Sequence, residues 1–232
     1  MIRDANGFGE ESYKPGYVLH CIAIHVGRPG GDEQRRLFAE TLASRLGGDG
    51  VDRGIQGYLV RELQVAGGPQ VAEVLGRLLV DDELCEYAAQ ALVAIEDGAA
   101  ARLRSALAAV KRMSRVTVVQ ALGAVRDTGS VEALAKVLEE EDGDVRMAAA
   151  WALARGGAPD GVEAVVRAAD RADGWERIQL TKACLLLAEN LLKSGKREPG
   201  VKILEHLRDT REDPAERYIR EAAERALRSR WT

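Results

Sequence analysis

Three histidines (His20, His25, His206) and three cysteines (Cys21, Cys85, Cys184) are the residues of this 232-residue chain best suited to nucleophilic, acid–base or metal chemistry. Their spacing favours none of these. His20 and His25 stand five apart, on different faces of a helix and on opposite faces of a strand, and no His-Glu-x-x-His occurs. The cysteines are odd in number and far apart, whereas a disulfide framework or zinc site needs close, regular pairs. Each lies among apolar neighbours and is expected to be a reduced thiol in the core. Cys85, beside Leu84, Ala88 and Ala89, is expected inside a helix, where a thiol stays protonated. Cys21-Ile-Ala-Ile-His25 has the outline of a Cys-x-x-Cys-His haem attachment, but Ile24 replaces the second thiol and a buried apolar segment explains the run better. The sequence therefore assigns no catalytic residue, no cofactor and no metal ligand.

Composition narrows the partners. Hydrophobic residues make up 46% of the chain and aromatics only 4%, which suits helices packed through Ala, Leu and Val. With 37 acidic against 33 basic residues, no net field draws it to nucleic acid or to an anionic membrane. The longest apolar stretches, Val18 to Val26 and Ala183 to Ala188, fall short of the roughly 20 residues of a bilayer span. The first residues lack the apolar centre of a signal peptide. The expectation is a soluble, cytoplasmic protein with neither a nucleic-acid nor a membrane partner.

The elements that would position any site follow from a repeat. Leu63, Leu92, Leu122 and Leu153 close four similar segments, at spacings of 29, 30 and 31 residues. About six residues after each comes a breaker: Gly68-Pro69, Asp97-Gly98, Thr128-Gly129 and Ala158-Pro159. A second apolar run follows, with Leu75, Leu103, Leu134 and Val165 in equivalent places. Two helices per period of about 30 residues mark an all-α solenoid, and five to seven helix pairs in a right-handed α-α superhelix are expected. Val71, Val74, Leu75, Leu78 and Leu79 trace one helical stripe. Pro69 and Pro159 suit first-turn positions, and Asp144, ahead of Val145, is expected to cap the next helix. A longer helix is expected from Trp175 to Lys193, another from Pro199 to Arg208, and a charged last helix opened by Pro214. Val18 to Val26 reads equally as strand, buried helix or loop.

Residues 142–171, from Asp142-Gly-Asp-Val-Arg-Met-Ala-Ala-Ala-Trp-Ala-Leu153 through Gly157-Ala-Pro159 to Val162-Glu-Ala-Val-Val166, resemble the bacterial HEAT repeat of the phycobilin-lyase-like type. The likeness continues through 82–141 and is looser over 55–80. Leu191-Leu-Lys-Ser-Gly-Lys-Arg-Glu-Pro-Gly-Val-Lys-Ile-Leu204 is similar to a tetratricopeptide turn, with Pro199 and Gly200 as departures. The chain then divides into an N-terminal segment (1–31), HEAT-like repeats (32–172) and a C-terminal longer helix pair with a capping helix (173–232). The resemblance implies an armadillo-like α-superhelix that binds proteins and implies no reaction. HEAT-like di-iron hydroxylases carry His-Glu pairs, and here no His precedes Glu.

The expected function is a non-catalytic scaffold holding a protein partner in a groove of stacked second helices. Glu73 with Arg77, Glu132 with Lys136 and Glu163 with Arg167 make the polar wall of that groove, each an i, i+4 pair in the favourable order. A wall neutralised within each helix is a poor phosphate track, unlike the cationic face of HEAT-like DNA glycosylases. Trp151 joins the partner-binding set because its equivalents, Arg61, Gln90 and Gln120, are polar and mark an exposed position. Packing against an adjoining repeat is its other reading, and Trp175 is open in the same way. An accessory chromophore lyase or chaperone-like factor, or the repeat arm of a larger enzyme, are the alternatives.

Overall fold

Aspartates start the helices. In the computed structural model, which describes residues 10–48 and 50–228, the Asp52 carboxylate accepts hydrogen bonds from the Gly54 and Ile55 N–H groups at 2.8 and 3.2 Å. The Asp142 carboxylate accepts from Asp144 and Val145 at 2.9 and 3.3 Å. First-turn N–H groups have no partner inside their own helix, so these carboxylates satisfy them. The cap of that helix is therefore Asp142 and not Asp144. Asp142 has the extended backbone (φ −76°, ψ 114°) from which a side chain can fold back, whereas Asp144 already lies in the first turn.

The chain forms two compact units that divide after Val110. The first contains α1 (Glu10–Val26), α2 (Asp32–Ala43), α3 (Arg53–Ala66), α4 (Ala72–Leu78), α5 (Cys85–Ile95) and α6 (Ala99–Leu107). The second contains α7 (Arg112–Ala124), α8 (Val131–Val137), α9 (Gly143–Gly156), α10 (Val162–Arg171), α11 (Gly174–Lys193), α12 (Arg197–Thr210) and α13 (Arg217–Arg228). No strand occurs among the described residues. Val18 to Val26 thus belongs to a helix. Short 3-10 turns at Pro69–Val71, Thr128–Ser130, Pro159–Gly161 and Pro214–Glu216 lead into the second helices and into α13. A proline costs nothing at such a start, where its missing N–H would have found no partner.

Within each unit, helices of like position pack side by side: α3 on α5 and α4 on α6, then α7 on α9 and α9 on α11. That translational order makes the protein an all-α solenoid of helix pairs. Its core is the repeated leucine: Leu63, Leu92, Leu122 and Leu153 are all buried, as are Leu75, Leu103, Leu134 and Val165 of the second helices. Cys184 follows Leu153 by 31 residues and occupies the same buried position.

The first helices of the second unit approach closely. A Cβ on Gly123 would stand 2.7 Å from Ala152 Cα, so only glycine permits this contact between α7 and α9. At the end of α9, Gly157 turns the chain with φ +62°, a left-handed conformation that glycine adopts without steric cost.

Candidate functional site

The second-helix charges are satisfied within the fold. Arg77 Nη1 lies 3.0 Å from Glu73, Lys136 Nζ 2.8 Å from Glu132, and Arg167 Nη1 3.8 Å from Glu163. Neighbouring repeats add to this, since Arg102 reaches Glu73 at 3.8 Å and Glu139 receives Arg167 at 3.5 Å and Arg171 at 3.0 Å. All of these groups are exposed. Hydrogen bonding to Lys136, with its positive charge, holds the Glu132 carboxyl below its usual range.

Trp151 lies elsewhere, on the first helices of the second unit. There α7 and α9 border an open groove of about 650 Å³. Its floor is Val116, Ala148 and Ala152, all buried. Met113, 71% exposed, Met147 and the half-buried Trp151 form its apolar wall. Gln120 adds a carboxamide, and Asp144 and Arg155 stand toward opposite ends of α9. Neither charge is in an ion pair among the described residues, in contrast to every charged residue singled out on the second helices.

The register explains how this face arises. Met113, Asp144 and Trp175 recur at 31 residues, each second in its helix. Trp175 is 66% exposed at the start of α11. A solenoid position that faces solvent is normally polar, so Met113 and Trp175 at this exposed position, on either side of Asp144, are the anomaly of this unit. Trp151 stood out in the sequence, while its companions Met113, Met147, Asp144 and Arg155 did not, although the 31-residue offset between Met113 and Asp144 was legible.

A second set of residues was missed altogether. Arg115, Arg146 and Arg177 are also 31 apart. Arg115 pairs through two nitrogens with Glu140. Arg146 donates to both oxygens of Glu176 at 2.6 Å and to the carbonyls of Glu140 and Glu141 at 2.7 Å. Arg177 repeats the pattern, reaching Glu216 at 2.7 and 3.0 Å and the carbonyls of Ala169 and Asp170. Hydrogen bonding to these glutamates pushes the Arg146 and Arg177 guanidinium pKa values further up. Arg146 and Arg177 thereby satisfy carbonyls at or just past the end of a second helix and grip a later element of the unit. This is structural chemistry rather than a ligand site.

The histidines and cysteines are dispersed. His20 Nδ1 lies 3.0 Å from Glu62 Oε2, joining α1 to a carboxylate 4% exposed on α3. Beside it the Tyr58 hydroxyl donates to Gly16 O, and burial, reinforced by Glu62, pushes its pKa up to about 12. His206 pairs with Asp170 at 2.9 Å, and His25 is exposed. Cys85 and Cys184 are buried as expected, but Cys21 is exposed, because the outward face of α1 that carries it is itself apolar, with Tyr17, Val18 and Ile22. An apolar neighbourhood in sequence did not mean a buried one. Burial pushes the Cys184 thiol up to about 12. Among the described residues no group of three or more His, Cys, Asp or Glu could hold a metal ion.

Helix pairs stacked by register define the class of the protein, an all-α solenoid. Residues 100–185 match the family model of HEAT repeats. Among solved structures, an engineered protein is 25% identical with a TM-score of 0.52, over 82% of this chain and 94% of that one. A second engineered protein is 22% identical with a TM-score of 0.53; the match takes in 96% of this chain but 65% of that one, and shows the fold alone. The complex of CpcE and CpcF of phycocyanin lyase from Nostoc sp. PCC7120 is 18% identical over 94% of this chain and 90% of that one, with a TM-score of 0.46. No curated protein matches the chain. No described helix is long and apolar enough to cross a membrane.

Proposed function

We propose that this protein is a non-catalytic scaffold that binds another protein, and that the partner docks on the first-helix face of the second unit. The observation that carries this reading is the groove around Trp151. An indole, two thioethers and two charges outside any ion pair among the described residues share one concavity. Tryptophan is enriched among the residues that dominate binding energy, and methionine adapts to the shape of a partner. The second-helix wall of Glu73, Arg77, Glu132, Lys136, Glu163 and Arg167 is the weaker candidate, because a partner would have to displace existing ion pairs. A protein partner, with no nucleic acid and no membrane, in a cytoplasmic setting, remains our reading.

A photo-crosslinking amino acid at Met113, expressed in the native host, tests the assignment. The expected product is one protein adduct, reproduced with the purified partner and abolished by Trp151→Ala. An adduct that survives Trp151→Ala but is lost on reversing the charges of Glu132 and Lys136 would move the site to the second helices.

A further inference from the structure

The groove also specifies what kind of segment fills it, an inference that rests on the docking face proposed above. Asp144 and Arg155 are eleven residues apart on α9, which places them about 16 Å apart along the helix axis at 1.5 Å per residue. Residues i and i+4 of an extended chain are about 13–14 Å apart, a little less than that distance. Between the two charges the wall is apolar, through Met147 and Trp151, and Gln120 faces them from α7 with one donor group and one acceptor. A helical ligand has no backbone groups to offer that carboxamide, whereas an extended one has both.

We propose that the groove takes an extended segment of the form Lys-x-Leu-x-Glu from another protein: a cation at Asp144, an aliphatic side chain on Met147 and Trp151, and a carboxylate at Arg155. In an extended chain residues i, i+2 and i+4 point the same way, so all three side chains face the groove together. The long lysine and glutamate side chains cover the remaining distance. Complementary charges at both ends set the preference, and the apolar centre supplies the contact area. A dicationic or diacidic segment would place one like charge beside Arg155 or Asp144.

The test uses the full-length protein and three end-blocked peptides, Lys-Ser-Leu-Ser-Glu, Lys-Ser-Leu-Ser-Lys and Glu-Ser-Leu-Ser-Glu, titrated to millimolar concentration with NMR shifts of the Trp151 indole as readout. The zwitterionic peptide is expected to bind about two- to fivefold more tightly than either of the others, the size of one exposed ion pair. Asp144→Lys is expected to transfer the preference to the diacidic peptide, and Arg155→Glu to the dicationic one. Both residues are exposed, and thermal melts of the variants check that they fold. Equal binding of all three peptides at Trp151 would overturn the proposed segment and leave the docking face standing. If no peptide moves the Trp151 signal, while the crosslink at Met113 still forms, the segment is wrong and the face is right. If neither occurs, both fall.

Discussion

Arg211 Nη2 lies 2.8 Å from Asp170 Oδ1, and this arginine is only 1% exposed. Near it Cys184 stands at the position that Leu153 fills one repeat earlier, and Glu216 Oε1 is 3.8 Å from Arg211 Nε. Removing the carboxylate while keeping the cation leaves a sealed charge poorly compensated. Asp170→Asn is therefore expected to cost about 2–3 kcal/mol, below the usual range for a buried pair because Asp170 is partly exposed. Arg211→Met, which removes the charge and keeps the bulk, is expected to cost less. Urea unfolding of the two variants checks the order.

The Arg146–Glu176 pair is bidentate and about three-quarters buried on both sides. Arg146→Ala is expected to destabilise the protein by about 2–4 kcal/mol, because Glu176 and the carbonyls of Glu140 and Glu141 lose a donor together. Arg146→Lys should not rescue it, since an ammonium cannot span two carboxylate oxygens and two carbonyls. A double-mutant cycle with Glu176→Gln should return a coupling of about 1–3 kcal/mol. Additive losses would count against the pair.

Thiol chemistry separates the three cysteines. Cys21 is expected to react with a disulfide reagent in the native protein, and Cys85 and Cys184 only after unfolding. Cys184 also predicts a pH dependence. Its thiol ionises near pH 9 when free of burial and near 12 in the fold. Between those values the unfolded chain gives up a proton that the native chain retains. Its contribution to stability is thus full below pH 9 and is lost toward pH 12, at up to about 1.4 kcal/mol per pH unit. Tyr58, raised from 10 to about 12, acts in the same sense over its own interval. Denaturation of Cys184→Ala between pH 8 and 11 should show a shallower decline than the parent protein.

Gly123→Ala tests the close approach of α7 and α9. The added methyl carbon meets Ala152 backbone, which cannot rotate away. A loss of about 1–3 kcal/mol is expected, together with changed chemical shifts along the Trp151 groove. A neutral result would mean that the two helices can separate freely.

The fold was legible because burial repeats with the chain. Leu63, Leu92, Leu122 and Leu153 recur every 29 to 31 residues because each fills the same place in a translated unit, and Pro69, Gly98 and Pro159 mark its turns. The site was legible only in part. Trp151 stood out against Arg61, Gln90 and Gln120, but the groove was sought on the second helices, where charge pairs are easy to see in sequence. Charges that already have intramolecular partners look no different in a sequence from charges awaiting one. The Arg115, Arg146 and Arg177 series was as regular as the leucines and went unseen because its glutamate partners, Glu140, Glu176 and Glu216, are 36 and 40 residues apart. Cys21 misled for a simpler reason. A helix with apolar residues on several sides does not reveal which side faces inward.

The arginine series bears on how the second unit comes apart. Arg146 ties the turn after α8 to the beginning of α11 in a single side chain, and Arg177 links α10 to the turn before α13. Losing one repeat would strand a cation in the next, so the strain of a local opening is handed along the stack. The unit should melt as one block, and a version shortened by its C-terminal helix pair, which takes Glu216 with it, would leave Arg177 on α11 without that carboxylate.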